Sequence, residues 1–548
     1  MNILSQLQKS FAQYILDTFS TDITNISSAF VLNTDENKQQ FGDISSNIAM
    51  IVAKQEKKAF RQVAQQVIDQ FSHVAIKKME IAGPGFINIH LSIETFATLA
   101  MQIYAQKNAF FKSEISSPKK INIEFVSANP TGPLHFGHGR GAIIGDVLGN
   151  ILSFLGYDTT KEFYINDAGA QVEKLGMSLK IRSLQIAGHD AELPEDAYHG
   201  EYIIDLAQDC FAQHGHDLLN KDDIFFADYA KNQMLINIQE TLKEYGVHFD
   251  TWFSEKTLHE HGAVERALSV LQNNGFLYEA EGATWFASTQ FGDDKDRVVR
   301  RGSGQVTYIA ADVAYLQNKA DREFHSLIMI LGHDHHSYAT RLETCRQALK
   351  LSNVSLDVLL YQLVKITEEG QLVRMSKRAG TFVTLQDIIN TVGKDVARFF
   401  YLHRKADAQL EFDLQLALKK TDENPVYYAQ YAYVRMGSIL QRATAHTALQ
   451  NICENDAQYI NTQEQLLLKK IAALSNIMLD IANNFHTHLL TYYLLELATL
   501  FHHYYAHHKI VDETDISTSR GRLFVLMNVR NTFELVLDLI GVCKIEKM

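Results

Sequence analysis

Two histidines, His135 and His138, bracket Phe136 and Gly137 at the end of the string Glu124-Phe125-Val126-Ser127-Ala128-Asn129-Pro130-Thr131-Gly132-Pro133-Leu134. Before them an apolar run (Ile121, Ile123, Phe125, Val126) has strand character, and Asn129, Pro130, Gly132 and Pro133 force a turn. After them Ile144, Val147, Leu148, Ile151, Leu152 and Leu155 recur at helical spacing until Gly156. A strand, a tight loop and a helix start put free amides and the positive end of a helix dipole beside two imidazoles. That is a ready phosphate site, and Gly137 lets a nucleotide lie close to the backbone. Isolated histidines more often cap or pack against a helix; here the context reverses the odds.

Other residues extend the chemistry. Arg374-Met375-Ser376-Lys377 is a basic loop that alone would read as a solvated turn. Glu124 and Asp312 sit in otherwise apolar stretches, where an unpaired charge costs on the order of several kcal/mol. A bound cation would remove that cost, and so would a lysine or arginine of the protein itself. Gly332-His333-Asp334-His335-His336 follows an apolar strand pattern at 327–331, and ligands gather at the carboxyl ends of parallel strands. By spacing alone His333, Asp334 and His335 could bind zinc. In the tract 502–508, His503 and His507 stand one helical turn apart, which allows a metal or a plain helix face.

These residues need a scaffold. At 548 residues the chain exceeds one core, so two to four domains are expected. Residues 1–115 read as a small α/β domain, with helices over 3–19 and 45–71 and strands at 30–33 and 86–91. Residues 116–415 alternate strand and helix as a doubly wound parallel sheet requires, with core strands at 121–126, 161–165 and 327–331 and a polar helical insertion at about 170–290. Residues 416–548 hold one proline and three glycines and carry long helical periods at 466–479 and 523–539, an all-α bundle. The net charge of −13 counts against a generic nucleic-acid coat, although a local basic stripe remains compatible with RNA. No apolar run approaches a membrane span, and the N-terminus lacks the apolar block of a signal peptide. The four cysteines stand far apart, which excludes zinc knuckles and points to a reducing cytoplasm.

The His135–His138 loop resembles the first signature of class I aminoacyl-tRNA synthetases. Met375-Ser376-Lys377 is similar to the end of their second signature, with Arg374 where lysine is usual. The string 124–140 resembles the arginyl branch, as do the phrases at 41–47, 82–88, 198–203, 249–255 and 424–435. The resemblance implies a Rossmann-like catalytic domain flanked by two tRNA-binding domains. It implies that His135, Gly137 and His138 steady ATP, and that Met375, Ser376 and Lys377 attend the departing pyrophosphate. Magnesium would come with ATP, held mainly by phosphate oxygens, with no metal held by the protein and no zinc.

For the amino acid, the resemblance implies that Glu124 and Asp312 grip the guanidinium of L-arginine and that Tyr308 lines the pocket. Ser127 and Asn129 would hold the α-amino and carboxylate end. Gly332, Asp334 and His335 would contact adenosine or the amino acid; many relatives carry alanine where His333 stands. For tRNA(Arg), Phe86 and Asn88 would meet the D-loop, and Tyr431 and Arg435 the anticodon, by stacking and hydrogen bonding on unpaired bases. The expected protein is a cytoplasmic monomer whose arginine activation needs bound tRNA. Two rivals stand. A cysteinyl enzyme would carry zinc-site cysteines, and a glutamyl enzyme basic pocket residues. A non-catalytic tRNA-binding paralogue would have no reason to keep His135, His138 and Lys377.

Overall fold

The computed structural model describes residues 2–21, 29–112, 118–167, 169–372 and 383–548, so Arg374, Met375, Ser376 and Lys377 lie outside the described residues. The chain divides into two compact units. One comprises Met1–Glu114, Lys420–Asn484 and Leu489–Met548, the other Ile115–Lys419 and Phe485–His488.

In the first unit, β1 (Phe30–Leu32), β2 (Ile44–Ser46), β3 (Ile76–Ala82) and β4 (Phe86–Leu91) form an antiparallel sheet in the order β1-β2-β4-β3. The helix Ile3–Phe19 starts where Asn2 accepts the Ser5 N–H, and it buries Leu4, Leu7, Phe11, Ile15 and Phe19 at helical spacing. The expected continuous helix over 45–71 is instead β2 followed by the helices Ile48–Glu56 and Phe60–Gln70. Ser45 and Ser46 pair with Asn88 and Ile87 of β4, and Lys57 ends the first helix in the left-handed region. The helix Ile93–Gln106 and the helices Pro425–Ala443, Gln465–Asn484, Leu489–His507 and Ile516–Ile540 belong to the same unit. Lys469, 1% exposed, places Nζ 2.8 Å from Asp43, and Asn528 donates to the Ala100 carbonyl at 3.1 Å. The N-terminal sheet and the C-terminal helices therefore share one interior, which composition did not foretell.

The second unit is built on a parallel sheet. Its strands are β5 (Lys120–Phe125), β6 (Asp158–Ile165) and β7 (Thr251–Ser254), then β11 (Ser326–Gly332) and β12 (Ser355–Tyr361), in the order β12-β11-β5-β6-β7. A small antiparallel sheet of β8 (Leu277–Ala280), β9 (Ala283–Phe286) and β10 (Arg297–Arg300) intervenes in sequence. Helices Ala170–Ile186, Glu201–His214 and Asp223–Glu244 occupy much of the polar stretch expected as an insertion. Strand order reverses at β5, with β6 on one side and β11 on the other, so the crevice beyond its carboxyl end is the topological switch point.

The helix His138–Leu155 leaves that crevice and presses on the sheet: a Cβ on Gly145 would lie 2.2 Å from the Phe125 ring. Buried charges fix it. Asp146 meets Lys161 and Arg398, each at 2.6 Å, and Arg140 donates to the carbonyls of Gln362, Lys405 and Ala408, each at 2.8 Å. Among the described residues no helix is long and apolar enough to cross a membrane.

Candidate active site

A cleft of about 1450 Å³ opens at the switch point. Its lining includes Glu124, Ser127, Asn129, His135, Gly137, His138, Tyr308, Asp312, Gly332, Asp334 and His335, so residues expected from separate parts of the sequence converge there.

At one end, the backbone N–H of His135 donates to Nδ1 of His138, and that of Gly137 donates to Nδ1 of His135, both at 3.1 Å. Each neutral ring therefore carries its proton on Nε2, the state that donates to an anion. A Cβ on Gly137 would stand 3.2 Å from His135 Nδ1, so the loop geometry leaves little room for a side chain. The loop is tied to the chain beyond the undescribed segment: His135 bridges Thr384, Phe136 N–H donates to the Val383 carbonyl at 3.1 Å, and Tyr401 donates to the Phe136 carbonyl at 2.7 Å. Gly332 ends β11, Asp334 and His335 follow it, and the Asp334 and His335 side chains are exposed. Among the described residues no group of three or more His, Cys, Asp or Glu could hold a metal ion.

At the other end three carboxylates meet. Asp312, on the helix Tyr308–Asp321, accepts the Tyr338 hydroxyl at 2.5 Å. Burial pushes its pKa up to about 7, against the lowering effects of Tyr338 and Arg341, and nearby Glu255 and Glu124 add to the rise. Burial likewise raises Glu255, whose strongest opposing partner is the Tyr164 hydroxyl. Glu124 differs. Of the two ways its charge could be met, a bound cation or a cation of the protein, the structure shows the second: Lys319 Nζ lies 2.7 Å from its Oε2. Ser127 Oγ donates to Glu124 at 3.3 Å and accepts the Tyr164 N–H at 3.1 Å. Asn129 donates to Gln171 at 2.7 Å, and Tyr308 stands at the cleft with 71% of its surface exposed. Val126, expected within the strand, lies beyond its end at φ +67°.

The first unit holds the remaining candidates. Phe86 is 40% exposed, whereas Asn88 is buried at 5%, so of the two Phe86 offers a surface. Tyr431 stacks on His502 with centroids 5.7 Å apart, and the Arg435 guanidinium lies 4.8 Å from both the Tyr431 and Tyr505 rings. His503 pairs with Glu36 at 2.7 Å.

Comparison with known proteins sets this geometry in a lineage. Residues 100–405 match the family described as tRNA synthetases class I (R), catalytic domain, and residues 5–91 match the arginyl tRNA synthetase N terminal domain. The chain belongs to the arginyl-tRNA synthetase family. Residues 429–548 match the DALR anticodon binding domain. The arginine–tRNA ligase of Desulfosudis oleivorans is 41% identical over 517 residues, covering 92% of this chain and 93% of its own length. That of Bacillus subtilis is 39% identical over 525 residues, covering 94% of each. The solved arginyl-tRNA synthetase of Thermus thermophilus shares the fold across the whole of both chains, with a TM-score of 0.76 at 18% identity.

Within this arginyl-tRNA synthetase family member, sequence reasoning overlooked Glu255, Tyr338 and Lys319. Glu255 closes the phrase at 249–255 and Tyr338 follows the histidine loop, so both stood inside or beside strings already recognised. Lys319 had no such signal, being an ordinary helix lysine until the fold buries it.

Proposed function

We propose that this chain is an arginine–tRNA ligase. The arginine carboxylate attacks the α-phosphate of ATP, the bond to pyrophosphate breaks, and arginyl-AMP forms. A ribose hydroxyl of the 3′-terminal adenosine of tRNA(Arg) then attacks the arginyl carbonyl and AMP leaves. The observation that carries this reading is the cleft that brings two histidines, whose Nδ1 atoms accept backbone N–H groups, together with the carboxylates Glu124, Asp312 and Glu255. His135 and His138 meet developing phosphate charge, and Lys377 neutralises pyrophosphate by the family pattern, since fixed donors and cations serve where charge grows. Little acid–base chemistry is needed; orientation supplies most of the effect.

Because Lys319 already matches Glu124, the guanidinium falls to Asp312 and Glu255, with Tyr308 beside them. Glu124, Ser127 and Asn129 then lie toward the α-amino and carboxylate end. Gly332, Asp334 and His335 face adenosine. A magnesium ion would arrive on ATP, held mainly by phosphate oxygens.

The domain reading assigns residues 1–115 to the D-loop side, 116–415 to catalysis and 416–548 to the anticodon. Phe86 serves the first contact, and Tyr431 with Arg435 the second. The setting is the cytoplasm, the working form a monomer, and activation needs bound tRNA. Charging of total tRNA with each labelled amino acid tests the proposal. Incorporation of arginine alone supports it; incorporation of another amino acid, or none, overturns it.

A further inference from the structure

Beneath the amino-acid end of the cleft, Lys319 is 0% exposed and does not line the cleft. Its ammonium lies 2.7 Å from Glu124, 3.9 Å from Glu162 and 4.4 Å from the centre of the Tyr315 ring. Glu162 is held in turn by Tyr315 at 2.5 Å and by Arg322 at 2.5 and 3.0 Å. The network is thus closed on its far side, and its near side ends at Glu124, which accepts from Ser127.

Ser127 belongs to a costly turn. Val126 has φ +67° and Ser127 φ +41°, and the Ser127 N–H donates back to the Phe125 carbonyl at 2.9 Å. A three-residue turn closed at a β-branched residue with positive φ persists only where the surroundings over-determine it. Here the Ser127 hydroxyl is held from both sides, by Glu124 and by the Tyr164 N–H. Of the residues that follow, Ala128, Asn129, Thr131, Gly132, Pro133 and His135 line the cleft.

We propose that Lys319 is a positioning residue for amino-acid recognition: its ion pair with Glu124 anchors the Val126–Ser127 turn, and the turn sets the groups that receive the α-amino and carboxylate end of the substrate. The proposal rests on the reading of the chain as an arginine-activating enzyme. It separates two jobs inside one cluster of carboxylates. Asp312 and Glu255 answer the side chain of the substrate, and Glu124 answers a lysine of the protein.

The test compares two ligands in pyrophosphate exchange with tRNA present. Arginine carries both ends; butylguanidine, as a competitive inhibitor, carries the guanidinium alone. Lys319→Met should raise the arginine KM at least tenfold while the butylguanidine inhibition constant stays within twofold of wild type. Lys319→Gln, which keeps a hydrogen-bond donor beside Glu124 and threatens folding far less, should give the same split in smaller measure, and it carries the test if Lys319→Met does not fold. A parallel rise for both ligands in either variant overturns the proposal, because the lysine would then act on the guanidinium end or on the fold as a whole. An unchanged arginine KM in either folded variant overturns it as well. Wild-type protein without arginine-dependent exchange would instead overturn the enzymatic reading itself.

Discussion

The cleft at the end of β5 and the aromatic face of the C-terminal helices handle charge in opposite ways. In the cleft, Asp312 is half-buried and Glu255 buried, and the loss of water raises the pKa of each, so each charge is costly until a cation arrives. On the helices, Arg435 is spread across the faces of Tyr431 and Tyr505, and Tyr431 keeps 37% of its surface exposed. The first arrangement suits one small ligand of fixed shape, because an imperfect fit leaves buried charge unmatched. The second suits flat, unpaired bases, which stack with tolerance. A precise site stores its cost in the free protein, whereas an adaptable one stores almost none.

That contrast can be broken by measurement. The largest effect belongs to the phosphate end: His138→Ala should lower the rate of pyrophosphate exchange by about 100- to 1000-fold, the usual loss for one fixed donor at developing charge, with the melting temperature unchanged. Next comes Asp312→Asn. Removing one partner of a buried charged pair should raise the arginine KM about 100-fold and leave that for ATP unaltered. The same variant should melt higher than wild type at pH 8. The sign follows from Asp312 having a pKa near 7 when folded against 3.8 ordinarily, so its stabilising contribution is full below about pH 4 and is lost as pH rises through 7.

A third measurement sharpens the point within wild type. Arginine should bind better as pH rises from 6 toward 7, with KM falling by up to about tenfold per unit as Asp312 ionises, then level off. Asp312→Asn should abolish that slope. The smallest effect is expected on the helices: Tyr431→Ala should raise the KM for tRNA by about tenfold, as loss of one stacking platform worth ~1–3 kcal/mol requires, with no change for ATP.

Sequence alone reached the site where its parts are local. The His135–His138 loop, its preceding strand and its following helix lie within one short run, so turn residues and periodicity describe them together. What failed was long-range. Lys319 meets Glu124 across 195 positions, and Lys469 meets Asp43 across 426, so neither pairing leaves a trace in any local window. Tyr338 reaches Asp312 across 26 positions, and the raised pKa there comes from burial that only the assembled sheet creates. Val126 misled for the reverse reason: its β-branched side chain favours a strand, and tertiary contacts at Ser127 override that preference. Asn88 read as a candidate for RNA, yet its place inside the antiparallel sheet buries it.

The central claim is that the cleft activates arginine with ATP. Pyrophosphate exchange with each of the twenty amino acids, with and without total tRNA, addresses it most directly. The account predicts exchange with arginine alone, and only when tRNA is present. Exchange with a different amino acid, or none under any condition while tRNA still binds, would contradict it.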